Sequence, residues 1–204
     1  VSDNTNHNIF KYKLNPSIEF YNSFYYFIYR NEVSQIYNER FKFKNTKYKL
    51  IKMNKDMDTI YDIDLYININ NNRYCDRNRI NLKYDDFVLE DLRLVNNKID
   101  GDIYVYGPVM VDYNDYTTKI GLFTLDNNEL IFKKYLVIDP NKKIEKNWLI
   151  YNKALNNYIF YKIDDHIIIY KSDYNFETIK YYRKVFFDYN KYLPNINTID
   201  FLDK

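Results

Sequence analysis

Three short polar clusters carry the residue types from which a chemical site could be built. They are Asn15-Pro16-Ser17, Glu90-Asp91-Leu92-Arg93 and Glu145-Lys146-Asn147-Trp148. Asp91 and Glu145 are carboxylates able to serve as a general acid and its counterpart, and Glu90 stands directly beside Asp91. Arg93 offers a planar two-pronged donor and Lys146 a compact point charge, a pairing suited to anionic or polar groups. Asn15 and Asn147 can donate and accept at once. Taken singly, each cluster has a plainer reading. Glu90 and Arg93 could form a local ion pair of little energetic worth. Lys146 could be a solvated strand end, and Trp148, the only Trp, a core residue. His166 on an apolar run reads first as a structural histidine. Recurrence of such clusters at matching places is what favours a site.

The matching places are the starts of hairpins. Each cluster runs into an apolar-aromatic pair of runs with a polar turn: 17–30, 92–106 and 148–161. The clusters lie 75 and 55 residues apart, with the Asn- and Arg-rich stretch 70–81 as an insertion in the longer interval. Further strand patterns fill the rest. Tyr61, Ile63, Leu65, Ile67 and Ile69 alternate with period two over 59–69, the signature of a half-buried strand. Residues 118–138 form two runs around Asp126-Asn127-Asn128, and 166–171 and 178–187 complete the set. A helix is a candidate only around Asn31–Arg40. Short strands with regularly spaced turns predict an all-β fold. A repeat slightly above the ~40–50 residues of a four-strand blade predicts a β-propeller. In a propeller the first strand of each blade lines the axis. Asn15, Asp91, Arg93, Glu145, Lys146 and Asn147 would then converge on one mouth of the channel.

Composition narrows the function. Lys and Arg total 30 against 28 Asp and Glu, a net charge of +2. That balance gives no electrostatic case for nucleic acid or an anionic membrane as the main partner. One Cys, Cys75, excludes an internal disulfide and a thiolate zinc cluster, and two His, His7 and His166, leave no His-rich metal site. Three Gly cannot build a dinucleotide or phosphate loop. No Gly-x-Ser-x-Gly elbow is present. Neither a metal nor an organic cofactor is expected. No apolar run approaches the ~20 residues of a membrane span, and no basic-then-apolar leader opens the sequence, which leads to the expectation of a cytoplasmic protein. Asn, Ile and Tyr number 29, 25 and 25 of 204 residues, the mark of an AT-rich coding sequence, so the Asn runs carry little functional weight.

The segments NPSIEFYNSFYYFIYR, EDLRLVNNKIDGDIYVY and EKNWLIYNKALNNYIFYKIDDHIIIY, in this order, resemble the five-bladed propellers related to glycoside hydrolase family 130. That group holds β-mannoside phosphorylases and hydrolases, with relatives described as glycosyltransferases. The resemblance runs from Asn15 to about Tyr170. It implies that Asp91 matches the catalytic Asp of the family's Asp-Pro-Arg element and Arg93 its Arg; Leu92 stands where the family usually has Pro. It further implies that Lys146 lies near a bound phosphate or acceptor, that Asn147 and Trp148 shape sugar subsites, and that His166 sits in a channel-facing loop. Arg30 closes the first hairpin as a family Arg does, Asn15 and Glu90 belong to the same mouth, and Glu145 is the second carboxylate if the reaction is hydrolysis. The implied partner is an oligosaccharide or glycoside, with phosphate if the enzyme is a phosphorylase.

Residues 1–204 are read as one propeller domain or part of one. Three to four blades do not close a five-blade ring, so a fragment or a reduced member is expected. Hydrolysis, phosphorolysis and transfer stay open. So do a non-catalytic glycan-binding propeller and a structural propeller that binds other proteins.

Overall fold

The computed structural model describes residues 9–37, 40–69, 72–74, 88–89, 91–97, 101–112, 115, 117–153, 155–163 and 166–186. These form strands and turns, with no helix among the described residues. Three sheets follow one another along the chain. The first is β1 (Ile9–Tyr21), β2 (Phe24–Tyr37), β3 (Arg40–Met53) and β4 (Thr59–Asp64), antiparallel throughout. The second has β8 (Arg93–Asn97), β9 (Asp102–Asp112), β10 (Thr117–Asp126) and β11 (Glu129–Leu136), with β7 (Val88–Leu89) continuing the line of β8 along β9. The third is β12 (Leu149–Lys153), β13 (Asn156–Ile163), β14 (His166–Asp173) and β15 (Ile179–Phe186).

The sheets are blades of one propeller. β8 touches both β1 and β12, so these three strands form the inner edges. The backbone N–H of Leu94 donates to Ser17 Oγ at 2.9 Å, and Asn96 Nδ2 donates to the Phe20 carbonyl at 3.3 Å. On the other side the Ile150 N–H donates to the Tyr106 hydroxyl at 2.9 Å. The inner strands correspond residue for residue. Asn15, Asp91 and Asn147 all adopt left-handed backbone, with φ of 49°, 46° and 62°. Two positions later Ser17, Arg93 and Leu149 begin five-residue inner segments that end at Tyr21, Asn97 and Lys153. Asn and Asp tolerate this conformation because their short side chains bond the local backbone. The Asn22-Ser23 turn of the first hairpin also has positive φ at both residues, as a tight two-residue hairpin requires.

The middle blade has both faces buried. Leu94, Ile103, Val105 and Phe123 pack with Ile28, Tyr48 and Leu50 of the first blade. Val95, Tyr104, Tyr106, Ile120 and Leu122 pack with Trp148, Ile159 and Phe176 of the third. This accounts for the continuously buried stretches 103–109 of β9 and 120–123 of β10, where successive residues meet one neighbouring blade or the other. The outer blades turn one face outward, where Ile18, Phe20, Leu149 and Tyr151 are exposed.

Two features depart from the sequence expectation. Residues 31–37, within the candidate helix, extend β2, because Asn31–Tyr37 pair with β3 and Asn31–Gln35 also with β1. Two-sided pairing overrides the weak local helical preference. The alternating run 59–69 is two strands in different blades. The Leu65 N–H donates to the Tyr48 carbonyl in the first blade, while the Tyr66 N–H donates to the Asn128 carbonyl in the second. β5 (Tyr66–Ile69) then lies parallel to β11 and pairs with β6 (Asn72–Tyr74), extending the second sheet outward. Most of the stretch 70–81 and Cys75 lie outside the described residues.

Gly121 sits in the core of β10. A Cβ there would come within 2.5 Å of Val109 Cγ2 and 2.9 Å of Phe123 Cε2. Both neighbours are fully buried and have little room to move. We therefore expect Gly121→Ala to destabilise the fold by about 1–3 kcal/mol, read as a lower urea midpoint. An unchanged midpoint would show that the core between the first two blades yields freely.

Candidate functional site

The left-handed residues bring the polar clusters to one end of the inner strands. Asp91 is the hub. Its Oδ1 accepts a short hydrogen bond from Asn15 Nδ2 and lies 3.5 Å from Arg30 Nη1. Arg30 reaches it from β2, opposite Leu14 on β1 and Tyr48 on β3, so two strands of the first blade grip one carboxylate of the second. The Arg30 side chain is 14% exposed and that of Asp91 33%, so the pair faces the opening without being dissolved in it.

A cavity of about 10 Å³, room for about one water, opens beside this hub. Asp91, Arg93, Tyr106, Pro108, Asn147 and Trp148 are among its walls. Six of the residues singled out from sequence thus fall together: Asn15, Arg30 and Asp91 by direct contact, and Arg93, Asn147 and Trp148 around the same cavity. Lys146 is exposed and does not line it. Glu90 lies outside the described residues. His166 begins β14, at the end of the third blade that also carries Leu149. It is two strands out from the inner edge, on the order of 10 Å, and its ring lies 5.9 Å from that of Phe186.

Glu145 sits behind Trp148 and is 1% exposed. Trp148 Nε1 donates to its Oε2 at 3.1 Å, and the Tyr161 hydroxyl donates to its Oε1 at 3.1 Å. Lys142 Nζ lies 3.4 Å from Oε2 and donates to the Tyr161 hydroxyl at 3.0 Å. Burial pulls the Lys142 pKa down, but the bond to Tyr161 and the charge of Glu145 outweigh it, so it stands above the ordinary lysine value. Burial raises Tyr161 in turn. The Glu145 backbone is pinned as well: its N–H reaches the Thr118 hydroxyl at 3.0 Å, and that hydroxyl donates to the Glu145 carbonyl at 3.1 Å. The whole device fixes Trp148 as one wall of the cavity. Sequence reasoning passed over Lys142 and Tyr161; the Lys-x-x-Glu-x-x-Trp spacing was the signal that could have found them.

Among the described residues no group of three or more His, Cys, Asp or Glu could hold a metal ion. No helix there is long and apolar enough to cross a bilayer.

No protein-family model matches the chain, and no curated protein matches it by sequence. Solved structures do resemble it. An exo-β-1,3-galactanase, so described, from Bifidobacterium bifidum S17 superposes with a TM-score of 0.52 at 13% identity, over 81% of this chain and 50% of that one. Two structures of an exo-β-1,3-galactanase from Phanerochaete chrysosporium with β-1,3-galactotriose give TM-scores of 0.47 and 0.48 at 12% and 13% identity, over 82% of this chain and 36% of theirs. The chain therefore spans half or less of the length of these proteins. The fold is that of a β-propeller, shared with the propeller glycosidases.

Tyr106 offers a test of how closed the cavity wall is. Burial pushes its phenol up to about 12 from the ordinary tyrosine value of 10.0. Below pH ~10 the phenol is protonated in both folded and unfolded chains, so its contribution is fully present. Between pH ~10 and ~12 the unfolded chain releases the proton first, and stability falls by about 1.4 kcal/mol per pH unit. Urea unfolding of the native chain and Tyr106→Phe from pH ~9 to ~11.5 should show their difference shrinking above pH ~10. A flat difference would mean the phenol ionises freely in the fold.

Proposed function

We propose that the protein is a carbohydrate-active propeller that engages a β-linked oligosaccharide at the Asp91 mouth. One observation carries the reading: Asp91, at the left-handed start of an inner strand, is gripped by Asn15 and Arg30 across a blade boundary, beside a cavity walled by Arg93, Asn147 and Trp148. A carboxylate held by a neighbouring blade keeps its position relative to both, which is what proton transfer at a fixed atom needs. Asp91 is assigned as the group that protonates the leaving glycosidic oxygen. Arg93 and the exposed Lys146 would bind an anionic or polar acceptor, the exposed Asn147 would border the sugar at the open rim, and the buried Trp148 would back that wall.

The substrate is a finer question on which two supports differ. The motif resemblance favours a β-mannoside with phosphate as acceptor, while the fold likeness is to a protein described as an exo-β-1,3-galactanase. Hydrolysis needs two carboxylates flanking the bond. Among the described residues Asp91 is the one carboxylate lining the cavity, and both oxygens of Glu145 are engaged elsewhere. That favours attack by an external nucleophile such as phosphate. The same observation favours a second reading, glycan binding without turnover.

The test is incubation with β-mannobiosides and β-1,3-galactobiose, with and without phosphate, following free sugar and sugar 1-phosphate. Asp91→Asn should lower turnover by about 10²–10⁴-fold while sugar binding persists. Lys146→Ala should weaken the dependence on phosphate. Full activity in Asp91→Asn would end the proposal, and saturable binding without any turnover would establish the second reading.

A further inference from the structure

A second polar cavity lies at the opposite end of the first two blades. It encloses about 260 Å³ and is walled by Tyr21, Tyr26, Tyr61, Lys52, Asp102 and Asn127. It lies at the end of the inner strands away from Asp91. Tyr21 ends the first inner strand, and Asp102 pairs with Asn97, which ends the second. About five residues of strand, on the order of 17 Å, separate the two ends.

The lining is chemically specific. Three tyrosines from three strands of the first blade present aromatic surface, and none of the three is fully buried. Lys52 Nζ is held 4.0 Å from the centre of the Phe24 ring, 5.5 Å from that of Tyr26 and 5.9 Å from that of Tyr61. These rings stabilise the ammonium and fix where it points. Among the described residues Lys52 forms no ion pair, and Asp102 across the gap forms none either. The Tyr21 hydroxyl donates a short bond to the Gly101 carbonyl, which ties the wall of one blade to the turn of the next. Gly101 has φ of +70°, so a side chain there would be strained.

A small concave site with an aromatic wall, one cation, one carboxylate and one amide matches a ring that is apolar on its C–H face and hydroxylated on its edge. Lys52 donates to hydroxyls, Asp102 accepts from them, and Asn127 does either. We propose that this cavity binds a single hexopyranose unit of a glycan, as a site separate from the Asp91 mouth. Its size suits one ring rather than a chain, and its polar lining disfavours a hydrophobic ligand. The proposal does not depend on Asp91 having any catalytic role.

The test is titration of the isotopically labelled chain with methyl β-galactoside and, separately, methyl β-mannoside, following backbone amide resonances. The amides of Gly101, Asp102, Ile103 and Asn127 should shift saturably with at least one of the two glycosides. Asp102→Asn and Tyr61→Ala should each weaken that response by tenfold or more. Asp91→Ala should leave it unchanged. Asp102 is exposed at the start of β9, so its substitution serves as the control for folding, read from the unchanged remainder of the spectrum. Absence of shifts at these amides for both glycosides would overturn the proposal. So would shifts that vanish in Asp91→Ala but survive in Asp102→Asn and Tyr61→Ala. Neither outcome bears on turnover at the mouth.

Discussion

Burial of the middle blade on both faces is the constraint from which the rest of the arrangement follows. Leu94, Ile103 and Val105 point to one neighbour, and Val95, Tyr104 and Tyr106 to the other. Because side chains alternate along a strand, a one-residue slip would exchange the two sets. Leu-sized and Tyr-sized positions are not interchangeable, so each packed face fixes the register of the other. The inner strand of the middle blade is thereby held at one height against β1 and β12. The left-handed residues before each inner strand inherit that height, and this is why Asn15 can touch Asp91 although 76 residues separate them.

The acidic residues near the mouth show two different uses of one functional group. Asp91 keeps a partly open carboxylate and takes its partners from the neighbouring blade. Glu145 is withdrawn from solvent and satisfied by Trp148, Tyr161 and Lys142. A buried carboxylate is tolerated only when its acceptor capacity is filled, and here an indole, a phenol and an ammonium fill it. The return on that burial is orientation, since the indole ring cannot turn without abandoning the bond. Trp148 also packs edge-on against Tyr161, with ring centres 5.6 Å apart. A residue with the appearance of a reactive acid is thus a positioning residue for an aromatic wall.

Much of the blade pattern was legible because hairpin signals are local. The Asn22-Ser23 and Asn127-Asn128 turns, and the alternating runs on either side, can be read within about ten residues. The matched positions of Asn15, Asp91 and Asn147 were legible as recurring polar residues, but their backbone reason was not, since composition already supplies Asn in abundance. The break at Leu65 was invisible because the alternation of Ile63, Leu65 and Ile67 runs straight through it; the change of sheet lies in which carbonyls receive two N–H groups. The strand over Asn31–Tyr37 was misread because its pairing partners on β1 and β3 are long-range. The burial of Glu145 was not legible because its neighbours Lys146 and Asn147 are polar and exposed, and a single buried residue in a polar string leaves no periodic trace.

The parallel pairing of β5 with β11 also sets an order of events in time. Tyr66 meets Glu129, a residue 63 positions further along the chain. At about 5–20 residues per second of synthesis, β5 waits several seconds before its partner leaves the ribosome. During that interval β6 can cover one of its edges, while the other stays unpaired, a template for any extended strand that passes. The first blade, whose strands pair with their sequence neighbours, has no such delay. A nascent chain would therefore carry a finished first blade and a waiting β5 at the same moment.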